Sequence, residues 1–374
     1  MRVLHVVASG RRRGAEIFAG DLVGALDDAG VTQHVAVLRD RESSVEFGAP
    51  VTQLAAHGAN GNGWDVAPFD PGTLRRLRAV VRSWSPDVVQ AHGGEPLKYA
   101  VAATMAGTGP PVVYRRIGTA PQEIVSGPRR AAYGWLMRRA SRVVAVADVL
   151  RREVIRIFRV PAGRVVTIPN GVDARRLLPV RGRDETRRTL GLPADVPVLL
   201  ALGALVWEKD PMTQLEIAER IARTSPKAVF LMVGDGPLRE PVRAAIADRG
   251  LEDRVRMLGA RDDVADILAA SDALLFASCS EGMAASVIEA GMAGLAVAAF
   301  AVGGIPEVIE DGVTGVLAAP GDVERLTAAA LRLLEDAPHR ASIGGAAKEA
   351  SVRFDIHDVG RRYLAVYERL LEAR

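Results

Sequence analysis

Short apolar runs alternate with longer stretches of helical period along nearly the whole chain. VLHVVAS at 3–9, QHVAVL at 33–38, DVVQAH at 87–92, PVVYR at 111–115, RVVAVA at 142–147 and RVVTIP at 164–169 read as buried strands. Amphipathic segments separate them, such as a helix over about 14–29 and GTLRRLRAVVRSW at 72–84. The alternation restarts with PVLLALGAL at 197–205. It continues through KAVFLMVGDG (227–236), RVRMLGA (254–260), DALLFAS (272–278), LAVAAF (295–300) and TGVLAAP (314–320). Strands that are apolar throughout, each followed by a helix, form parallel sheets covered on both faces. The pattern therefore predicts an α/β chain of two Rossmann-like, doubly wound domains, 1–175 and 176–354, with a last amphipathic helix over 355–374. The segment 169–197 is rich in Pro, Gly and charge and reads as the linker. Two such domains facing each other make a cleft, and ligands of such sheets bind beyond the carboxyl ends of the strands.

The 374 residues are 49% apolar and 25% charged, the balance of a globular, water-soluble chain. One cysteine, Cys279, excludes an intrachain disulfide and a Cys-rich metal site, fits a reducing compartment and reads as a small core residue. MRVLHVVASGRRRG is not a signal peptide, because its apolar run is short and the charges follow it. No stretch reaches the ~18 apolar residues of a membrane span, so a cytoplasmic location is expected. The net charge of +3 conceals an asymmetry. Residues 1–175 hold 24 basic and 15 acidic side chains (+9), and the remainder 24 and 30 (−6). The first half is expected to meet something anionic. Its arginines are scattered and no nucleic-acid motif appears, so no nucleic-acid partner is expected.

The chemistry should follow the strand ends. SGRRRGAE at 9–16 lacks the dinucleotide spacing, which argues against a nicotinamide enzyme. Gly14 begins a helix and offers backbone N–H groups to an anion, or serves only a tight turn. Lys209, one of only four lysines, stands near a helix start in LGALVWEKDP. VGDGP at 233–237, with Gly234, is a glycine-rich turn, and FAVGGIPEVI at 300–309 puts two glycines before a helix. EGMAASVIEAGMAG at 281–294 sets Glu281 and Glu289 amid small apolar residues, where a carboxylate is expensive to bury without a partner. If wholly helical, the eight positions span about 12 Å, at about 1.5 Å per residue. That exceeds the roughly 5–9.5 Å of a hydrolase carboxylate pair, and is too far to share one metal ion. It suits the two ends of one extended ligand, a sugar held by Glu281 and a ribose by Glu289, with a diphosphate between.

These residues, with GAE at 14–16, IPNGVD at 168–173, EKDP at 208–211, VGDGPLRE at 233–240 and VGGIPEVIEDGVTG at 302–315, resemble the retaining glycosyltransferases of family 4 over nearly the whole chain. The resemblance implies the GT-B fold, with the last helix crossing back to an acceptor-binding first domain. It implies a UDP-sugar or GDP-sugar donor, no cofactor and no metal. Glu281 would contact the sugar hydroxyls, with the N–H groups of Gly282, Met283 and Ala284 nearby. Glu289 would bind the ribose, and Lys209 and the N–H of Gly14 the diphosphate. His92 would lie beside the transferring sugar, unless it only bonds locally, and the base near Met257 to Arg261. No general base is assigned, because in the family the leaving phosphate is thought to take the acceptor's proton.

The chain departs from the family pattern at Ala204, where an arginine normally joins the lysine on the phosphates, and at Arg13, Ala147 and 298–300. One reading brings in another arginine, from Arg11–Arg13 or Arg115 and Arg116, so that Arg13→Ala and Arg116→Ala would cripple donor binding. The alternative is a catalytically inactive nucleotide-sugar-binding protein. PRRAAYGWLMRRASR at 128–142 is open to two readings, a helix packed on its own sheet or a peripheral contact with an anionic membrane. None of these residues names the acceptor: an anionic or lipid-linked carrier, a cell-surface glycan precursor and a small natural product are all open.

Overall fold

A computed structural model describes residues 1–39, 45–55, 69–105, 109–119 and 127–373. The chain divides into two units, Met1–Val172 with Ile356–Arg374, and Asp173–Asp355.

The first unit holds a parallel sheet of β1 (Arg2–Val7), β2 (Thr32–Val37), β3 (Val51–Gln53), β4 (Val88–His92), β5 (Val112–Arg116), β6 (Arg142–Ala145) and β7 (Val165–Thr167). Its spatial order is β3-β2-β1-β4-β5-β6-β7. β4 and β5 are buried at every position, as strands covered on both faces must be. β3 escaped the sequence pattern because it is a short, partly exposed edge strand with no apolar run. The last helix, Ile356–Glu372, lies on helix Gly14–Asp27 of the same unit. Gly360 permits this, since a side chain there would press on Ala25. Phe18 and Tyr363 meet across the contact, with ring centroids 6.0 Å apart.

The second unit holds β8 (Val198–Leu202), β9 (Val229–Val233), β10 (Val255–Gly259), β11 (Ala273–Phe276), β12 (Ala296–Phe300) and β13 (Val316–Ala318), parallel in the order β10-β9-β8-β11-β12-β13. Each sheet thus reverses its winding direction once, between β1 and β4 and between β8 and β11. Loops at such a point diverge and leave room for a ligand.

The supposed linker is largely part of the second unit. Residues Arg183–Thr189 form a helix. Arg181 pairs with Asp263 and Asp266, and Arg183 and Arg187 pair with Asp272. Charge that reads as solvated in sequence is here used in ion pairs with helix Val264–Ala270 and with Asp272, just before β11.

Candidate functional site

In the second unit the loop after β8 and the loop after β11 meet at the reversal point. Asp210 takes a left-handed conformation and accepts hydrogen bonds from the Thr213 N–H at 3.1 Å and hydroxyl at 2.7 Å, starting helix Pro211–Thr224. This fixes the preceding turn, Trp207–Lys209. The Lys209 stem passes Gly203, and its ammonium stands 4.7 Å from the Phe276 ring centre and pairs with Glu281. Both side chains are mostly buried, 21% and 12% exposed. Gly303, at φ +53°, crosses so closely that a side chain would collide with the Glu281 carbonyl oxygen, and Gly304 N–H donates to Gly282 at 2.8 Å. Gly282, Met283 and Ala284 are buried, and helix Ala285–Met292 starts at Ala284 without a side-chain cap. Its first turn carries no acidic residue to offset the positive end of the helix.

The helix begins four residues after Glu281, so the segment between the two carboxylates is not wholly helical. Glu289 lies on that helix, 3.6 Å from Arg176. Each acid therefore has a cationic neighbour. Lys209 was legible from its place before a helix; Arg176 was not, because it sits in what reads as linker. Gly234 (φ +141°) has a packing reason as well, since a side chain would collide with the Gly203 carbonyl oxygen. Arg261 is held in a two-pronged pair with Asp263, at 2.8 and 2.7 Å. Cys279 is exposed rather than in the core, because the chain emerges from the sheet after Ser278. Partial burial, Asp210 and other acids push its thiol pKa up.

In the first unit Gly14 opens helix Gly14–Asp27 beside β1, with open space where a side chain would lie. Glu16 in its first turn is buried, accepts from the Ser9 hydroxyl at 3.2 Å, and is pushed up in pKa by burial. His92, at the end of β4, is 2% exposed and lies 3.1 Å from His5, which reaches Gln33 at 3.0 Å.

Arg115 and Arg116, two of the arginines read as substitutes for the missing phosphate arginine, both have partners within the first unit. Arg115 is buried, its guanidinium 3.5 Å from the Phe18 ring centre and donating to Asn170 at 2.7 Å. Burial pulls its pKa down to about 10. Arg116 turns to the opposite face and pairs with Glu153 at 2.7 Å. Adjacent strand residues point to opposite faces, so one of the two always leaves the His92 side. Within 128–142, helix Gly127–Arg139 packs Gly134 and Met137 inward, while Trp135 is 44% exposed under Arg139. Among the described residues no helix is long and apolar enough to cross a membrane.

Burial pushes His5 down to about pKa 4. The unfolded chain accepts a proton near pH 6.5 that folded His5 refuses. Stability therefore falls as the pH drops from about 6.5 toward 4, by about 2 kcal/mol at pH 5. His92 is lowered too, by burial, His5 and Arg115, and acts in the same direction. Glu16, raised by burial, opposes them, since its protonated form suits the fold. Denaturant unfolding at pH 7 and pH 5 should show a smaller acid loss in His5→Asn than in the wild type. Equal losses would refute this.

Residues 12–176 match the family model Glycosyltransferase Family 4, and residues 182–350 match Glycosyl transferases group 1. The 2-deoxystreptamine glucosyltransferase of Streptomyces kanamyceticus is 30% identical over 317 residues, 78% of this chain and 79% of that protein. The 2-deoxystreptamine N-acetyl-D-glucosaminyltransferase of Streptomyces fradiae is 32% identical over 303 residues, 75% of this chain and 70% of that protein. In fold, the chain is similar to Anabaena HepE in complex with UDP and glucose, with a TM-score of 0.84 and 23% identity, covering 98% of this chain and 99% of that one. Matches spanning both units, and relatives at 30% identity over most of their length, lead to one conclusion: the chain belongs to the family 4 glycosyltransferases, enzymes of the GT-B fold.

Proposed function

We propose that this enzyme moves a hexosyl group from a nucleoside-diphosphate sugar to an acceptor hydroxyl, with retention of configuration and without a metal ion. The observation that carries the reading is the Lys209–Glu281 pair beside an uncapped helix start, at the reversal point of the second unit's sheet. Breaking the bond between the anomeric carbon and the phosphate oxygen leaves negative charge on the diphosphate. Lys209 and the N–H groups leading into helix Ala285–Met292 would meet that charge, and preorganised donors of this kind are usually the largest catalytic factor. Glu281 would fix the sugar hydroxyls. Glu289, steadied by Arg176, would accept from the ribose diol. The acceptor oxygen bonds to the anomeric carbon on the face the phosphate leaves, and its proton passes to that phosphate. The backbone around Gly234 and from Met257 to Arg261 would border the base, and Gly14 N–H would add a donor to the diphosphate.

HepE is seen with UDP, which favours a UDP-sugar here. Two relatives act on 2-deoxystreptamine, which favours a small polyhydroxylated ring as acceptor. Calorimetric titration with UDP and GDP, followed by transfer assays in EDTA with the product anomer read by NMR, tests the reading. The expected result is binding of UDP and an α-linked product from an α-linked donor. A β-linked product would overturn retention, and loss of turnover in EDTA would overturn metal independence. Binding without transfer to any ring acceptor would favour the inactive sugar-nucleotide-binding protein that Ala204 suggests.

A further inference from the structure

Beneath helix Gly14–Asp27 the first sheet carries a line of hydrogen-bonded polar side chains: Gln33 on β2, His5 on β1 and His92 on β4. All three are buried, at 6%, 0% and 2% exposure. Their hydrogen bonds can run in only one direction. The line begins at the backbone carbonyl of Val23, to which Gln33 Nε2 donates at 2.7 Å. A carbonyl oxygen only accepts, so the amide group of Gln33 is oriented by it and Oε1 faces His5. His5 Nε2, 3.0 Å from Oε1, must then carry the proton. A neutral imidazole has one N–H, so His5 Nδ1 is an acceptor. His92 Nε2, 3.1 Å from it, must donate. The remaining nitrogen, His92 Nδ1, holds a lone pair. It is buried and has no hydrogen-bond partner among the described residues.

We propose that His5 and Gln33 are positioning residues that fix His92 as its Nε2–H tautomer and so present Nδ1 as a hydrogen-bond acceptor to a substrate hydroxyl at the reversal point of the first unit's sheet. The proposal rests on the reading that His92 lies beside the transferring sugar, and it adds the sense of the hydrogen bond. A buried acceptor without a donor is costly. A hydroxyl satisfies it, whereas a phosphate oxygen or carboxylate, with no proton to give, does not. The other groups near the line are Arg115 on β5, Glu16 on helix Gly14–Asp27 and Tyr363 on the last helix. Arg115 weighs against protonating His92, and Glu16 and Tyr363 both act on Arg115.

The test uses the full-length enzyme labelled with 15N-histidine. Long-range 1H–15N correlation spectra of the free wild type should show His92 protonated at Nε2 and bare at Nδ1. Gln33→Met removes the amide but leaves the His5–His92 contact. It should let His92 populate both tautomers and lower kcat/KM by about twofold or more, the loss when half the molecules are competent. A wild-type His92 protonated at Nδ1 overturns the proposal whether or not any variant folds. So does a Gln33→Met enzyme that is folded and keeps a single Nε2–H tautomer. His92→Phe separates the two ideas. If it transfers sugar at the wild-type rate while the tautomer is as stated, the placement of His92 beside the sugar is wrong and the relay stands only as a feature of the fold.

Discussion

Lys209→Ala is expected to lower kcat by about 10²–10³-fold, the usual cost of removing one preorganised group that meets charge developing in the transition state. The loss has two sources. On the proposed reading, the ammonium that would meet the departing diphosphate disappears. Glu281, only 12% exposed at its side chain, also loses its partner and leaves a lone negative charge beside the place proposed for the diphosphate. A double replacement separates these effects. Lys209→Met with Glu281→Gln removes both charges and should recover most of the folding stability, because no lone charge stays buried. It should not recover transfer. Steady-state kinetics and thermal unfolding of the two single variants and the double variant check this. A kcat for Lys209→Ala within a few-fold of wild type would remove Lys209 from the chemistry. Arginine is not an equivalent replacement, since the lysine stem runs past Gly203 and its compact ammonium fits over Phe276, where a planar fork would need more room.

Arg187→Met is expected to destabilise the second unit by about 3–5 kcal/mol, the range for removing one partner of a buried ion pair. Arg187 is 2% exposed. It donates to the carbonyls of Ala270, Ala194 and Val196 at 3.0, 2.8 and 3.0 Å and to Asp272 at 2.8 Å. Asp272 also accepts from the Val198 N–H at 2.7 Å and from Arg183 at 2.6 Å. One guanidinium thus ties helix Arg183–Thr189 to the chain just before β8 and to the loop that leads into β11. Methionine fills the space but satisfies none of these acceptors. At about 2–4 °C per kcal/mol for a unit of this size, the unfolding midpoint should fall by roughly 6–20 °C. Arg187→Lys keeps the charge and should recover less than half of the loss, because an ammonium cannot serve carbonyls on several sides at once. A loss below about 1 kcal/mol in Arg187→Met would show that the carbonyls find other partners.

Most strands were legible because each is built on a short apolar run, as VLLAL, VFLMV, ALLF and AVAAF are, and a parallel sheet buried on both faces demands that pattern. Glu281 and Glu289 stood out because carboxylates are conspicuous among alanine, valine and isoleucine. Lys209 stood out because lysine is scarce in this chain. Charged residues in the segment 169–197 misled, since Arg187 looks there like any solvated arginine. Arg115 and Arg116 show the opposite case. They close strand β5 and read in sequence as available to a phosphate, while in the fold one lies on Phe18 and Asn170 and the other on Glu153.

By itself the sequence determined the α/β class, the two sheets and the family, because these depend on periodicity and on short motifs, each read within its own segment, that recur in order along the chain. Tertiary structure decided the partners. Lys209 with Glu281, Arg176 with Glu289, Arg187 with Asp272 and the line from Gln33 through His5 to His92 join residues that are distant along the chain. Hydrogen bonds and ion pairs act over about 3–4 Å, a distance that only the folded chain defines.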